Sequence, residues 1–244
     1  MADTMLITGT TSGVGLSLAN HFAGRFKVIA AGRKRDKLFE LFGKNPNVTT
    51  WMMDLSDPSE VSRATDGILD RFGPVSYLIN NAGVNIKGAL EEISPRDFLH
   101  SQQVNAVAPL IILQKLLPGM KERNFGRVIN FTSGAPFNCF PEYSAYSASK
   151  ASLNALTVTA AHECSRFNIK INLMSPGPVR SNMAPDAPMD PSVCHPTADY
   201  LLSLGPDGPT GRFFWLGYEI PLFPDLDGIR WLEGKADEHF RKVL

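Results

Sequence analysis

Two tyrosines and one lysine lie close together in the segment EYSAYSASK, residues 142–150. Tyr146 precedes Lys150 by four residues and Tyr143 precedes it by seven, so a helix would bring both phenols to the side of the lysine. The rise along the axis separates them, because four residues span about 6 Å and seven span about 10.5 Å. We therefore expect the Lys150 ammonium to lie near the Tyr146 phenol.

This pair of residues is suited to proton transfer. A free tyrosine has a pKa of about 10, and a nearby cation favours the phenolate and lowers that pKa. A pKa closer to the working pH is the condition for efficient general acid–base catalysis. Ser133, thirteen residues before Tyr146, can share a substrate oxygen with the phenol as charge develops there. Tyr143 is a candidate to line the substrate pocket or to pack the start of the helix.

A glycine-rich turn, TGTTSGVG at residues 8–15, lies between an apolar run and a helical pattern. Gly9, Gly13 and Gly15 allow a tight turn, a close approach to a pyrophosphate, and packing of the helix on the strand. The start of the helix offers free N–H groups and a positive dipole end to phosphates. A ligand-free βα turn has a similar sequence, but the strand before and the helix after are the context that a dinucleotide site requires.

Residues at the ends of the next two predicted strands also fit a dinucleotide site. Gly32 and Arg33 stand where NAD-binding sheets usually place an acid for the ribose hydroxyls. An arginine attracts a 2′-phosphate, so the sequence predicts NADP(H) rather than NAD(H). Asp54 and Leu55 follow the third strand. The carboxylate can accept from an adenine amino group, or it can serve only as an acid at a helix start.

Short apolar runs alternate with helical patterns along the whole chain. The runs predicted as strands are 5–8, 27–31, 48–53, 75–80, 127–132, 170–175 and 212–217. This alternation predicts an α/β fold, with one Rossmann-type domain over 1–244 and a seven-stranded, mostly parallel sheet covered by helices on both faces. Residues 182–211, rich in Pro and Gly, are predicted to form a loop or short-helix lid over the substrate. Residues 225–244 are predicted to form a C-terminal helix.

Composition excludes several classes of protein. The 244 residues include 24 Lys and Arg and 24 Asp and Glu, so no net charge favours nucleic acid or an anionic membrane as partner. The start lacks the features of a signal peptide and no apolar run could span a bilayer, so the expected location is the cytoplasm. Cys139, Cys164 and Cys194 are far apart and give no disulfide or metal spacing.

Several motifs occur together in one order. They are Thr8-Gly9-x-x-x-Gly13-x-Gly15, Asn80-Asn81-Ala82-Gly83, Asn105, Ser133, Tyr146-x-x-x-Lys150 and Pro176-Gly177. Over residues 4–183 the chain therefore resembles the short-chain dehydrogenase/reductase family, in its common non-extended branch. The resemblance implies a nicotinamide cofactor and oxidoreduction between a carbonyl group and an alcohol. It also implies association into a homodimer or homotetramer through the fourth and fifth helices.

The resemblance implies roles for individual residues. Tyr146 resembles the catalytic acid or base, Lys150 its activator and ribose ligand, and Ser133 the hydroxyl that orients the carbonyl. Asn105 resembles the residue that holds a proton-relay water. Ser181 stands where the family often has a threonine. The cofactor-binding residues predicted in this way are Thr8, Gly9, Thr11, Ser12, Gly13, Val14, Gly15, Arg33, Asp54, Leu55, Asn81, Ala82, Gly83, Tyr146, Lys150, Pro176, Gly177, Val179 and Ser181. No metal is predicted.

The leading hypothesis is an NADPH-dependent reductase of a ketone or aldehyde. The alternatives are an alcohol dehydrogenase, a 3-oxoacyl thioester reductase, and an NADP(H)-binding sensor without turnover. Loss of Ser133, Tyr146 or Lys150 would favour the sensor, and all three are present. The aromatic character around Phe137 and Phe140 favours an apolar or ring-bearing substrate.

Overall fold

The strands predicted from the apolar runs form one sheet in the computed structural model, which describes residues 3–222. The strands are β1 Thr4–Thr8, β2 Lys27–Gly32, β3 Val48–Met52, β4 Tyr77–Asn80, β5 Gly126–Phe131, β6 Ile169–Ser175, β7 Phe213–Trp215 and β8 Tyr218–Ile220. Their order is β3-β2-β1-β4-β5-β6-β7-β8. All neighbours are parallel except β7 and β8, which are antiparallel.

Helices connect the strands and cover both faces of the sheet. They are α1 Gly13–Phe22, α2 Arg35–Phe42, α3 Pro58–Phe72, α4 Pro95–Gln102, α5 Ala108–Glu122, α6 Ala135–Asn138, α7 Ser144–Glu163 and α8 His195–Leu202. One apolar core lies under α1, α2 and α8 and includes Leu18, Phe42 and Leu201. The other lies under α3 and α5 and includes Ile68 and Leu116. Because both faces are covered, β5 and β6 are buried along their whole length.

The order of the strands places a crevice between β1 and β4. β1 pairs with β2 on one side and with β4 on the other. From β1 the chain adds β2 and β3 toward one edge of the sheet, and it then adds β4, β5 and β6 toward the other edge. Connections after the two strands diverge at their carboxyl ends, and open α/β sheets bind ligands in this position. The glycine-rich turn after β1 and the segment 80–83 after β4 therefore flank the same crevice.

The prediction of the α/β fold is confirmed, with one more strand than the seven predicted. Leu216 and Gly217 both have positive φ, 46° and 82°, and form a tight turn from β7 into β8. β8 has three residues, too few to show a period in the sequence. A π-helical turn at Gln103–Val107 lies between α4 and α5.

The segment 182–211 contains more regular structure than a loop. A 3₁₀ turn at Pro191–Cys194 leads into α8. Ala198 and Leu201 on α8 are 0% and 2% exposed, so this part of the segment belongs to the core. Its first residues, Asn182 and Met183, lie at the crevice.

The predicted C-terminal helix, residues 225–244, lies outside the described residues, and the single domain over 1–244 stays a prediction for the full chain. Between residues 3 and 222, no helix has the length and apolar character needed to cross a bilayer. The same part of the chain contains no group of three His, Cys, Asp or Glu side chains that could bind a metal ion.

Candidate active site

A cavity of about 360 Å³ occupies the crevice at the carboxyl ends of β1, β2, β4 and β5. Most residues of the predicted cofactor set line it. These are Thr8, Gly9, Thr11, Ser12, Gly13, Val14, Arg33, Asp54, Leu55, Asn81, Ala82, Gly83, Tyr146, Lys150, Pro176 and Ser181. The cavity therefore brings together residues that are up to 173 positions apart in the chain, from Thr8 to Ser181.

The glycine-rich turn approaches its neighbours too closely for any side chain. Gly9 and Gly13 have positive φ, 71° and 52°, a region that favours glycine. A Cβ atom at Gly13 would lie 2.8 Å from the Cβ of Ser181. A Cβ atom at Gly15 would lie 2.3 Å from the carbonyl oxygen of Gly9. Gly15 is thus needed to pack α1 on β1, and it does not itself line the cavity.

Hydrogen bonds join the ends of β1 and β4 and set the width of the crevice. The Thr8 hydroxyl oxygen accepts from the backbone N–H groups of Asn81 and Ala82, at 3.1 and 3.2 Å. In return, Asn81 Nδ2 donates to the carbonyl oxygens of Thr8 and Gly9, at 3.0 and 3.3 Å. These bonds leave the side of the turn that faces the cavity open to a ligand.

Charged residues lie where the second and third strands end. Arg33 is exposed and lines the cavity. The backbone N–H of Ser56 donates to Asp54 Oδ1 at 3.0 Å and is the main cause that lowers the pKa of this carboxyl group. Arg33 and His100 lower that pKa further. Asp54 is therefore an ionised carboxylate beside an exposed guanidinium group.

Ser133, Tyr146 and Lys150 come together where β5 ends and α7 begins. The Lys150 side chain is buried, its Nζ donates to the carbonyl oxygen of Phe131 at 2.7 Å, and it lies 5.9 Å from the centre of the Tyr146 ring. Ser133 lies near enough to the Tyr146 phenol to lower its pKa, and Ser133 Oγ accepts from the backbone N–H of Ala135 at 3.1 Å. The spacing read from the sequence thus places a phenol, an ammonium group and a hydroxyl in one cluster.

The pKa values in this cluster differ from the sequence expectation. Burial lowers the pKa of Lys150 to about 8. Burial also raises the pKa of Tyr146, and the nearby Ser133 hydroxyl opposes that increase. The expected lowering by Lys150 is not seen, because its ammonium group is bonded to the Phe131 carbonyl rather than to the phenol. Tyr146 is therefore protonated at neutral pH.

Asn105 joins the segment after β4 to α7. It is 0% exposed and lies in the π-helical turn, a feature frequent at functional sites. Its Oδ1 accepts from the backbone N–H of Val84 at 2.8 Å, and its Nδ2 donates to the Val84 carbonyl oxygen and to Ser149 Oγ. A Cβ atom at Gly83 would lie 3.1 Å from Asn105 Oδ1 and 3.5 Å from Lys150 Nζ. Asn105 thus positions this segment, and a role in holding a water stays a prediction.

Aromatic side chains lie beside Tyr146 on its outer side. The rings of Tyr143 and Tyr146 are 6.2 Å apart at 74°, and Phe140 lies 6.0 Å from Tyr143. Lys87 Nζ lies 4.8 Å from the centre of the Tyr143 ring. Phe137 is stacked on Phe213 at 5.6 Å. The residues expected to contact substrate therefore form an aromatic surface next to the phenol, and Tyr143 does not line the cavity itself.

The comparisons with known proteins identify the family. A sequence model described as short chain dehydrogenase matches residues 3–191. The chain belongs to the short-chain dehydrogenase family.

Individual relatives agree with this assignment. The chain is 32% identical over 194 residues to "Dehydrogenase/reductase SDR family member 7B" of Bos taurus, covering 75% of this chain and 60% of that protein. It thus spans less than two thirds of that relative's length. A crystal structure of a short-chain dehydrogenase from Streptomyces avermitilis is 28% identical, with a TM-score of 0.80 over 88% of both chains. A metagenomic short-chain oxidoreductase crystallised with NADP is 25% identical, with a TM-score of 0.77 over 88% of this chain and 96% of that one.

Two predicted cofactor residues shape the short-chain dehydrogenase crevice without lining it. Gly177 has a φ of 73°, and a Cβ atom there would lie 2.7 Å from Trp215 Nε1. Val179 is buried, and its backbone N–H donates to the Gly177 carbonyl oxygen at 2.9 Å. Both residues fix the path of the chain between β6 and Ser181, which does line the cavity.

Sequence reasoning missed part of the lining of this short-chain dehydrogenase site. Outside the predicted cofactor set, the cavity is lined by Ala31, Gly32, Lys34, Met53, Ser56, Val84, His100, Val104, Phe131, Thr132, Asn182 and Met183. Lys34, Ser56 and Val84 adjoin predicted residues, so adjacency alone could have found them. His100 and Val104 gave no signal, because α4 and the π-helical turn reach the cavity only through tertiary packing.

Proposed function

We propose that this chain is an NADP(H)-dependent oxidoreductase that reduces a ketone or aldehyde to an alcohol, with Tyr146 as the proton donor. The observation that carries the proposal is that Tyr146 and Lys150 line the same cavity as the glycine-rich turn, with Ser133 beside Tyr146 just outside the lining. Membership of the short-chain dehydrogenase family supports the reaction class. The family resemblance supplies the roles of the three residues.

The cavity fits a dinucleotide at the start of α1. The positions of Gly9 and Gly13 exclude side chains, which brings backbone to the cavity surface. No side chain caps α1 at Ser12, and its first turn contains no acid, so its first N–H groups and positive dipole end are available to phosphates. Lys150, predicted to bind the ribose, lines the same cavity.

Arg33 supports a preference for the phosphorylated cofactor. Its exposed guanidinium group lies at the cavity, next to Lys34 and across from Asp54. Charge-assisted and bidentate bonds to a 2′-phosphate are stronger than neutral hydrogen bonds. The relative crystallised with NADP at 25% identity supports the same choice.

The side chains around Tyr146 are arranged to deliver a proton. When bound, the cofactor supplies a hydride to the carbonyl carbon. Ser133 Oγ accepts from the Ala135 N–H, and its hydroxyl proton would turn from the Tyr146 phenol to the substrate oxygen when the substrate binds. The half-buried phenol of Tyr146 remains protonated at neutral pH and transfers its proton to the oxygen as negative charge develops there.

A substrate panel tests the proposal directly. The loss of NADPH absorbance is measured at a saturating NADPH concentration with one candidate substrate at a time. The candidates are cyclic, aromatic and aliphatic ketones, aldehydes and 3-oxoacyl thioesters. We expect turnover of a ketone or aldehyde with an apolar or ring-bearing body. NADPH binding without turnover of any member would support the sensor instead, and turnover confined to thioesters would support the acyl reductase.

The state of the whole protein belongs to the same proposal. We expect a cytoplasmic homodimer or homotetramer that acts on a small molecule without nucleic acid or membrane. Cell fractionation and sedimentation measure these two properties independently of activity.

A further inference from the structure

A buried hydrogen bond joins β5 to α7 one helical turn beyond Lys150. The hydroxyl of Thr132 donates to Asn154 Oδ1 at 2.5 Å. The two side chains are 2% and 3% exposed, so the bond is largely shielded from bulk water. Asn154 follows Lys150 by four residues and therefore lies on the same face of α7.

Thr132 is flanked by two residues that contact the reacting pair. The carbonyl oxygen of Phe131 accepts from Lys150 Nζ, and Ser133 lies near enough to Tyr146 to lower the pKa of its phenol. Three consecutive residues, the last of β5 and the two that follow it, thus lie against three residues of α7 that are spaced by four. The Thr132–Asn154 bond is the one of these contacts that involves neither Tyr146 nor Lys150.

A directional bond is needed here for a physical reason. Apolar contact between a helix and a sheet is non-directional, and alone it would permit small rotations or translations of α7. A buried hydrogen bond has a narrow range of distance and angle, and its loss leaves a costly unpaired group. Two such bonds between side chains restrain α7 on the sheet, one from Asn130 Nδ2 to Thr157 Oγ1 at 2.8 Å and one from Thr132 to Asn154, and the second is the nearer in sequence to the reacting residues.

We propose that Thr132 and Asn154 form a positioning pair that fixes the register of α7 on β5 and thereby sets the distances among Lys150, Tyr146 and Ser133. The catalytic consequence rests on the proposed function, whereas the geometry of Lys150 can be measured without turnover. Thr132 lines the cavity but Asn154 does not. A variant of Asn154 therefore separates positioning from direct contact of Thr132 with a ligand.

The first experiment measures the position of Lys150 without any reaction. The protein is labelled with ¹³C-lysine, and the ε-carbon signal of Lys150, assigned by its loss in Lys150→Met, is titrated with no nucleotide added. Thr132→Val removes the hydroxyl at nearly constant shape, and it should move the Lys150 titration. Asn154→Ala removes the acceptor from the helix side and should move it in the same direction. Thr132→Ser keeps the hydroxyl and should retain the wild-type titration.

The second experiment measures the catalytic consequence. Thr132→Val and Asn154→Ala should lower kcat about tenfold or more while the KM for the carbonyl substrate changes little, because misplacement of reacting groups acts on the chemical step. Thr132→Ser should keep kcat near the wild-type value. The matched control is Thr65→Val, which removes another buried threonine hydroxyl, one that donates to the Val61 carbonyl oxygen at 2.7 Å in α3. It should lower the melting temperature without changing kcat or the Lys150 titration.

The outcomes separate this inference from the proposed function. If Thr132→Val and Asn154→Ala are less stable but keep the wild-type Lys150 titration, the pair has only a structural role and the inference is wrong. An effect of Thr132→Ser as large as that of Thr132→Val would also overturn it, because the hydroxyl would then not be the cause. If no carbonyl compound is reduced, the proposed function fails, and the titration still decides the positioning role.

Discussion

Burial determines the protonation of the two ionisable residues at the centre of the site. It raises the pKa of Tyr146 and lowers that of Lys150 to about 8. Both changes favour the neutral form, as expected when charged groups lose water. The phenol is therefore ready to donate a proton, while Ser133, rather than Lys150, is the neighbour that stabilises its ionised form.

Tyr146→Phe should remove nearly all ketone reduction and leave NADPH binding close to wild type. The ring still fills the buried site, but the proton that reaches the carbonyl oxygen is lost, an effect expected to be about 10²- to 10⁴-fold in rate. Steady-state kinetics measure the rate of ketone reduction, and a fluorescence titration measures NADPH binding. The matched control is Tyr143→Phe, whose phenol lies outside the cavity and which should mainly change KM. An inactive Tyr143 variant beside an active Tyr146 variant would reverse the assignment.

Arg33→Ala should weaken NADPH binding and leave NADH nearly unchanged. Hydrogen bonds to charged groups contribute about 1.5–3 kcal/mol, which corresponds to about 10- to 150-fold in affinity. The ratio of kcat/KM for the two cofactors is the measurement. We expect a clear rather than absolute preference in the wild type, because Ser12 stands where many NADP-using relatives carry a second basic residue. Equal values in the wild type would contradict the role of Arg33.

Gly32→Asp should move the cofactor preference toward NADH. The new carboxylate would repel a 2′-phosphate and could accept from ribose hydroxyls. A Cβ atom at Gly32 would lie 3.3 Å from Thr11 Cγ2 and 3.5 Å from Leu38 Cδ2, so the substitution requires only a small movement of side chains. The same kinetic ratio measures the result, with Gly32→Asn as the uncharged control. A preference that stays with NADPH in the Asp variant would count against this interpretation.

The helix that follows the glycine-rich turn is held to α8 by a polar contact between elements. The His195 ring is 2.8 Å from Ser17 Oγ and is stacked on His21 at 4.1 Å. Asp199 pairs with His21 at 2.9 Å and also with Arg25. This contact joins the segment 182–211, predicted to cover the substrate, to the helix predicted to bind phosphate.

Acid should weaken the contact between α1 and α8. Burial and the nearby His21 lower the pKa of His195, against the opposing effect of Asp199 and Asp190. The unfolded chain, with a histidine pKa of about 6.5, then binds more protons than the folded one, so the free energy of unfolding falls as pH drops below about 6.5. Melting temperatures from pH 7.5 to 5.5 measure this loss.

A variant assigns that pH dependence to one residue. His195→Gln should make the loss smaller, because the glutamine does not titrate and can still bond to Ser17. His162→Gln, at an exposed position on α7, is the control and should keep the wild-type pH dependence. An unchanged loss of stability in His195→Gln would show that another group is responsible.

At the scale of the whole molecule, α4 presents apolar side chains to solvent in one copy of the chain. Leu99 is 65% exposed and Phe98 is 37% exposed. The family resemblance implies association through the fourth and fifth helices, which would cover these side chains in a dimer or tetramer.

Leu99→Glu should therefore reduce the sedimentation coefficient toward that of a monomer. A buried carboxylate at an interface is costly, whereas the same group on a free surface is not. Phe39→Glu, on α2 with a 69% exposed side chain, is the control and should leave the assembly intact. Circular dichroism confirms that both variants are folded. A Leu99 variant that sediments like the wild type would exclude this surface from assembly.

The sequence by itself determined the succession of strands and helices along the chain and the positions of the main motifs. Apolar runs of four to six residues and helical periodicity depend on local burial, which the neighbouring residues specify. The four-residue spacing of Tyr146 and Lys150 and the glycines of residues 8–15 depend only on local helix and turn geometry. Seven strands and most of the cavity lining could therefore be predicted from the sequence.

Tertiary structure decided the properties that depend on distant residues. His100 and Val104 reach the cavity because α4 packs against the sheet end, which no local pattern specifies. Lys150 bonds to the Phe131 carbonyl, nineteen positions away, and this contact appears only when α7 lies on β5. The pKa of Tyr146 is raised, whereas the sequence predicted that Lys150 would lower it. The spacing of two ionisable residues along a helix can be read from the sequence. The loss of water around a side chain cannot, because it depends on every element that packs over that side chain.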